Sequence, residues 1–285
     1  MIAAHWPVID THFHAGVNAL IHVTEKELLA WIDDNAIDIQ IVMQVNEGTL
    51  HQTPDWNPYL GNDWIARLQN TLPDRVVGLG GLNPWWQPPQ KYLLAGPDYG
   101  RPFDRVTRNP CLEELDRIIL QLGLWGLKLH PLEHHYQVNN PYIMDPILTR
   151  LSQLREQVER TLLVLVHAGG DSMNNTPEAI ADIAGRFPNL LFLAAHSGYK
   201  WATPTVAHTM AKHENVLLDL TTMAGNQNMI ECYQRYGAEK FTAGSDGPFA
   251  SVNVKNAIVR SLARNSEEEA LILGGNLARR LGIKR

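Results

Sequence analysis

Two histidines one residue apart close an apolar stretch near the start of this chain, in Ile9-Asp10-Thr11-His12-Phe13-His14. Side chains alternate along an extended strand, so both imidazoles share one face. Two neutral ring nitrogens side by side suit a borderline-soft divalent ion such as zinc. A pair of histidines on a solvated strand end is the competing reading of so short a motif. Three more ionisable residues close later apolar stretches: His167 in LVLVHAGG, His196 in FLAAHSG and Asp246 in FTAGSDGP, each followed closely by glycine. Burying such groups is costly without a partner, and glycine lets backbone or ligand approach. Singly, each histidine reads more readily as a hydrogen-bonded core residue and Asp246 as a helix N-cap. As a set they need a framework that brings residues 12 to 246 to one place.

The chain supplies one. Eight short apolar runs, near 7–13, 38–46, 76–82, 126–130, 162–168, 190–196, 215–221 and 240–245, alternate with amphipathic stretches. Several runs are apolar throughout, as strands covered on both faces must be. Helices follow them, among them 24–34, with Thr24 as N-cap and Glu27 three residues on, and 176–187, with Pro177 at its first position. This alternation predicts a single α/β domain over residues 1–285, a (β/α)8 TIM barrel, in which all strand C-termini meet at one mouth. Two connections, 47–62 and 83–111, are too long for turns. The second carries Trp85, Trp86 and six prolines and is expected to be lid-like rather than a disordered linker. Lys128 and His130 share a face of the fourth strand.

Charged residues make up 19% of the 285 residues and the formal net charge is −6, with no basic run to follow a phosphate backbone, so nucleic acid is not an expected partner. No stretch approaches the roughly 20 apolar residues of a membrane span, and the N-terminus lacks a basic start before an apolar run. A cytoplasmic protein with no membrane association is expected, with a small-molecule substrate as its partner and a homo-oligomer compatible with the barrel. Cys111 and Cys232 lie too far apart in the sequence for a zinc knuckle and are expected to be reduced.

The ordered set IDTHFHA, GLKLHP at 126–131, VHAGG at 166–170, AAHSG at 194–198, GSDGP at 244–248 and ILGGNLARRLGI at 272–283 resembles the amidohydrolase superfamily. More narrowly it is similar to the amidohydrolase-2 group, which includes enzymes like aminocarboxymuconate-semialdehyde decarboxylase. The resemblance implies His12, His14, His167 and Asp246 as metal ligands, and His196, with Asp246, as the catalytic acid/base. It implies one divalent ion, zinc first, with manganese, iron and cobalt compatible; a second ion bridged by carboxylated Lys128 is the alternative. The expected reaction is hydrolysis of an amide, lactone or ester by metal-activated water, with Lys128 and His130 gripping a substrate carboxylate and Trp85 and Trp86 stacking on a planar ring. Non-oxidative decarboxylation of an aromatic or muconate-like acid is the second expectation. A metal-binding barrel without catalysis is the third.

Overall fold

The computed structural model describes residues 6–17, 21–44, 61–84, 110–168, 173–197, 204–222 and 227–283. The central parts of both long connections, with Trp85 and Trp86, lie outside these residues. The strands are β1 (Ile9–Val17), β2 (His22–Val23), β3 (Ile39–Gln44), β4 (Val76–Gly78), β5 (Gly80–Gly81), β6 (Gly126–Leu129), β7 (Leu163–His167), β8 (Leu191–Ala195), β9 (Val216–Asp219) and β10 (Phe241–Thr242). All but β2 pair in parallel, in two runs, β1-β3-β4 and β5-β6-β7-β8-β9-β10. β2 folds back antiparallel on the end of β1, which runs beyond the expected 7–13 to Val17.

Backbone hydrogen bonds join the two runs into a ring. β4 and β5 are one strand interrupted at Leu79, whose N–H donates to Val42 O at 2.8 Å, while Gly78 O accepts from Trp125 N at 2.9 Å. On the other side Thr11 N donates to Ala243 O (3.4 Å), Asp246 N to His12 O (2.9 Å) and His14 N to Gly247 O (2.7 Å). The result is the predicted eight-stranded TIM barrel. Helices follow the strands, with N-caps where the sequence signals them: Thr24 and Glu27 form a capping box, and Thr176 caps the helix Pro177–Arg186. Among the described residues no helix is long and apolar enough to cross a membrane, and both cysteines are buried thiols.

Strand alternation sorts the apolar side chains into two cores. Ile9, Ile41, Met43, Leu79, Leu163, Leu165, Leu191, Leu193 and Leu217 fill the barrel interior and meet Leu277 and Leu281 of the C-terminal helix. Their alternates, among them Phe13, Val42, Leu127, Leu129, Val164, Phe192 and Phe241, pack outward under the helices. Period two would place Ile9 and His12 on opposite faces. A register shift in the β1–β3 pairing between Asp10 and Phe13 changes the parity, so Ile9 points inward below and His12 and His14 point inward above, with Phe13 outside.

Candidate metal centre

The inward parity of each strand carries the site. His12 and His14 end up inside through the bulge in β1, Lys128 because its neighbours Leu127 and Leu129 face outward, and His167 because Leu163 and Leu165 face inward. His196 breaks the rule. It follows the inward Ala195 and by alternation would face the helices. Its backbone instead turns into the left-handed region, φ 59°, and brings its ring 5.3 Å from that of His12 and 5.0 Å from that of His167. Asp246 is left-handed as well, at φ 61°. Non-glycine residues held there cost free energy, and such strain gathers at functional sites.

Three acceptor atoms converge at the mouth. His12 Nε2 and His14 Nε2 are 3.2 Å apart, and Asp246 Oδ1 lies 3.4 Å from each. His14 Nδ1 faces the Gln44 carbonyl at 3.2 Å, which can only accept, so Nδ1 carries the proton and Nε2 offers its lone pair. Burial, then the neighbouring Lys128, holds His12 neutral, well below the ordinary histidine range. Burial pushes the Asp246 carboxyl up, but the imidazoles of His12, His14 and His196 outweigh it and hold it well below the usual carboxylate range. Lone pairs packed this closely repel unless a cation sits among them. Nitrogen ligands at about 2.0–2.1 Å in a tetrahedron are spaced by about 3.3 Å, the spacing seen here. His196 joins His12 and Asp246 in the cluster whose donor atoms all lie within 4.8 Å of one another among the described residues. The donor set therefore fits a divalent ion.

His196 is 8% exposed, and burial, then His167, lowers it to about 4, so it is neutral at physiological pH. Its Nδ1 faces the Thr221 carbonyl at 3.3 Å and Thr222 Oγ1 at 3.1 Å, which leaves Nε2 bare. His167 stacks on His130, with centroids 4.2 Å apart, one ring farther from Asp246 than His196 is in this chain of contacts. Lys128, 1% exposed, sets its Nζ 3.2 Å from His12 Nε2 and 3.5 Å from Met43 Sδ. His12, His14, His196, Asp246 and Lys128 are thus in one group, and His167 with His130 forms its flank.

Two acids that motif reasoning passes over hold this group in place. Asp10, fully buried, accepts from Ser245 N and Ser245 Oγ, both at 2.7 Å, and so anchors the residue before Asp246. Asp219, also fully buried, accepts from Gly244 N (2.8 Å), Thr11 Oγ1 (3.0 Å) and Thr221 Oγ1, and its Oδ2 is 3.8 Å from His12 Nδ1. Burial raises it to about 7 against the pull of those hydrogen bonds. The detectable signal for Asp219 is a lone acid closing the apolar run of β9. Gly244 permits the close approach: a Cβ there would lie 2.5 Å from His12 Cβ and 2.6 Å from Thr221 Oγ1. Phe249, 54% exposed, edges His14 at 5.5 Å and forms an apolar rim.

Comparison with solved structures places the fold. 5-Carboxyvanillate decarboxylase from Sphingomonas paucimobilis superposes with a TM-score of 0.68 at 15% identity, over 98% of this chain and all of that one. 2,6-Dihydroxybenzoate decarboxylase from Rhizobium gives 0.66 at 14%, over 98% of each chain. A probable 2-pyrone-4,6-dicarboxylic acid hydrolase from Acinetobacter baumannii gives 0.63 at 14%, over 97% of this chain and 100% of that one. A search of curated proteins finds no match. The model of the amidohydrolase family Amidohydro_2 matches residues 62–283, a span that holds Lys128, His130, His167, His196 and Asp246 and begins after the His12-x-His14 pair. By that match, over most of its length and from β4 through β10, the chain belongs to the amidohydrolase family.

Proposed function

We propose that this amidohydrolase is a hydrolase that cleaves a C–N or C–O bond of a small carboxylated amide, lactone or ester and depends on one divalent metal ion. The observation that carries the reading is the convergence of His12 Nε2, His14 Nε2 and Asp246 Oδ1 beside a neutral His196 whose Nε2 is bare. His12, His14 and Asp246 would hold the ion, with His167 as the fourth ligand. Bound there, the ion supplies Lewis acidity toward a carbonyl and makes water easier to deprotonate. His196 accepts the proton of the attacking water at Nε2 and returns it to the leaving group, and the second carboxylate oxygen of Asp246 is the alternative acceptor. Lys128 Nζ and His130 meet the substrate carboxylate. Zinc suits the nitrogen-rich set best, and manganese, iron or cobalt suit it too.

Decarboxylation of an aromatic or muconate-like acid is the second reading. Two of the similar structures are decarboxylases of aromatic acids, and a buried lysine beside His12 offers a carboxylate a cationic partner. That reaction needs a proton donor to carbon, whereas the contacts at Nδ1 leave His196 Nε2 as an acceptor, so hydrolysis stands first. The test is a panel of lactones, amides and esters beside a panel of aromatic acids, scored for hydrolysis and for carbon dioxide release before chelation, after it, and after zinc is restored. Hydrolysis lost on chelation and regained with zinc, and lost in a His196→Ala variant that keeps its metal, is the expected result. Carbon dioxide release without hydrolysis would replace the first reading with the second. No turnover at all would leave a metal-binding barrel without catalysis, and His196→Ala as active as wild type would remove the role assigned to His196.

A further inference from the structure

A third left-handed residue sits beside the site and has no part in the cluster of ligands. Thr222, three residues past the end of β9, has φ 55°. A side chain branched at Cβ is especially disfavoured there, and such a conformation persists only where the surroundings impose it. What the conformation achieves is visible in its contacts. Thr222 Oγ1 lies 3.1 Å from His196 Nδ1, while the carbonyl of Thr221 lies 3.3 Å from the same nitrogen. The carbonyl accepts only, so Nδ1 is the donor and the threonine hydroxyl is its second acceptor. The facing turn is tied down too: Ser197, at φ 45°, donates from Oγ to Asp219 O at 2.7 Å. Two strained turns, after β8 and after β9, are thereby locked to each other across His196.

We propose that Thr222 is a positioning residue for His196: its strained backbone sets its hydroxyl beside the Thr221 carbonyl, and the two acceptors together hold the ring with the proton on Nδ1 and the bare Nε2 aimed at His12 and Asp246. The proposal rests on the reading of His196 as the proton acceptor. A histidine ring without that second acceptor keeps only the longer bond to the carbonyl, and both its tautomer and its rotation about Cβ–Cγ loosen. Partners of this kind, which act through another residue, typically change activity by about 10–100-fold.

The experiment uses the full-length protein with ring-15N-labelled histidine, His196 being assigned by its absence in His196→Gln, and compares wild type with Thr222→Val, Thr222→Ser and Thr222→Gly before and after chelation. In the chelated wild type His196 is expected to show a protonated Nδ1 and a bare Nε2. Thr222→Val, which keeps the shape and removes the hydroxyl, should show exchange-averaged ring nitrogens and a kcat down by about tenfold at unchanged KM. Thr222→Ser should restore both. Thr222→Gly relieves the backbone and lacks the hydroxyl, so it should melt no lower than wild type yet lose the tautomer preference; it serves also if Thr222→Val does not fold. Wild-type ring signals in Thr222→Val or Thr222→Gly would overturn the proposal, as would Thr222→Ser being as impaired as valine. If the wild-type protein turns over no substrate, the proposed reaction fails, but the nitrogen spectra still decide the role of Thr222.

Discussion

The wall formed by β6, β7 and β8 and the seam where β1 meets β10 belong to the same barrel but are built on different principles. In the wall the register runs without interruption from Gly126↔Leu163 to Leu129↔Val166 and from Leu163↔Leu191 to His167↔Ala195. Its interior positions below the mouth, Leu163, Leu165, Leu191 and Leu193, are leucines that meet one another. The seam is held by few backbone bonds, contains the register shift in β1 and ends in the left-handed Asp246. Around His12 its buried positions are Asp10, Thr11, Asp219 and Ser245, with Thr11 bonded to Asp219 and Ser245 to Asp10. The wall gains stability from apolar burial that needs no exact partner. The seam gives up that burial for a polar network in which each group has one correct position, and this lets it hold acceptors facing one another.

Three measurements press on this contrast. In the wall, Leu193→Ala should lower unfolding free energy by about 3 kcal/mol in denaturant titration while metal content and turnover of the folded protein stay near wild type. Loss of metal in that variant would mean that wall and seam are not separable. At the seam, Gly244→Ala drives a methyl group to within 2.5 Å of His12 Cβ. A displacement of about 1 Å at a catalytic group costs about 100-fold, so kcat/KM and metal retention should fall by that order, with a smaller stability loss than Leu193→Ala. Full activity there would show that His12 tolerates movement.

The third measurement concerns charge. His196 is depressed from 6.5 to about 4, so the unfolded chain takes up its proton first as pH falls, and the chelated protein loses stability through that window. His12 is shifted the same way, whereas Asp219, raised to about 7, opposes it because the folded form holds its proton longer. Taking the difference between wild type and His196→Gln isolates one group. Thermal melts should show wild type losing about 2 kcal/mol more than the variant between pH about 6.5 and about 4.5. Parallel curves would remove the buried neutral His196 from the account.

Much of the barrel is legible in the chain because both of its requirements are local. Continuous apolar runs mark strands covered on two faces, and all eight expected runs overlap a barrel strand. Caps such as Thr24 and Thr176 mark the helices. The chemistry is legible in part for the same reason: an ionisable residue closing an apolar run is anomalous wherever the run ends. Lys128 and His167 follow from plain alternation. Asp10 and Asp219 are less legible, since each acid is tied across the barrel seam to a partner more than 200 residues away, Ser245 for Asp10 and Thr11 for Asp219.

What local pattern cannot supply is the side of the strand on which a residue finally lies. Alternation would separate Ile9 from His12 and turn His196 toward the helices, and neither holds in the folded barrel. A bulge in β1 and a left-handed turn after β8 reverse both: β1 shifts against β3 where Phe13 also bridges to Gly247, and the turn at His196 is held by Thr221 and Thr222 just past β9. Residue types near strand ends point to a candidate metal site. The closure of the barrel states which nitrogen points at it.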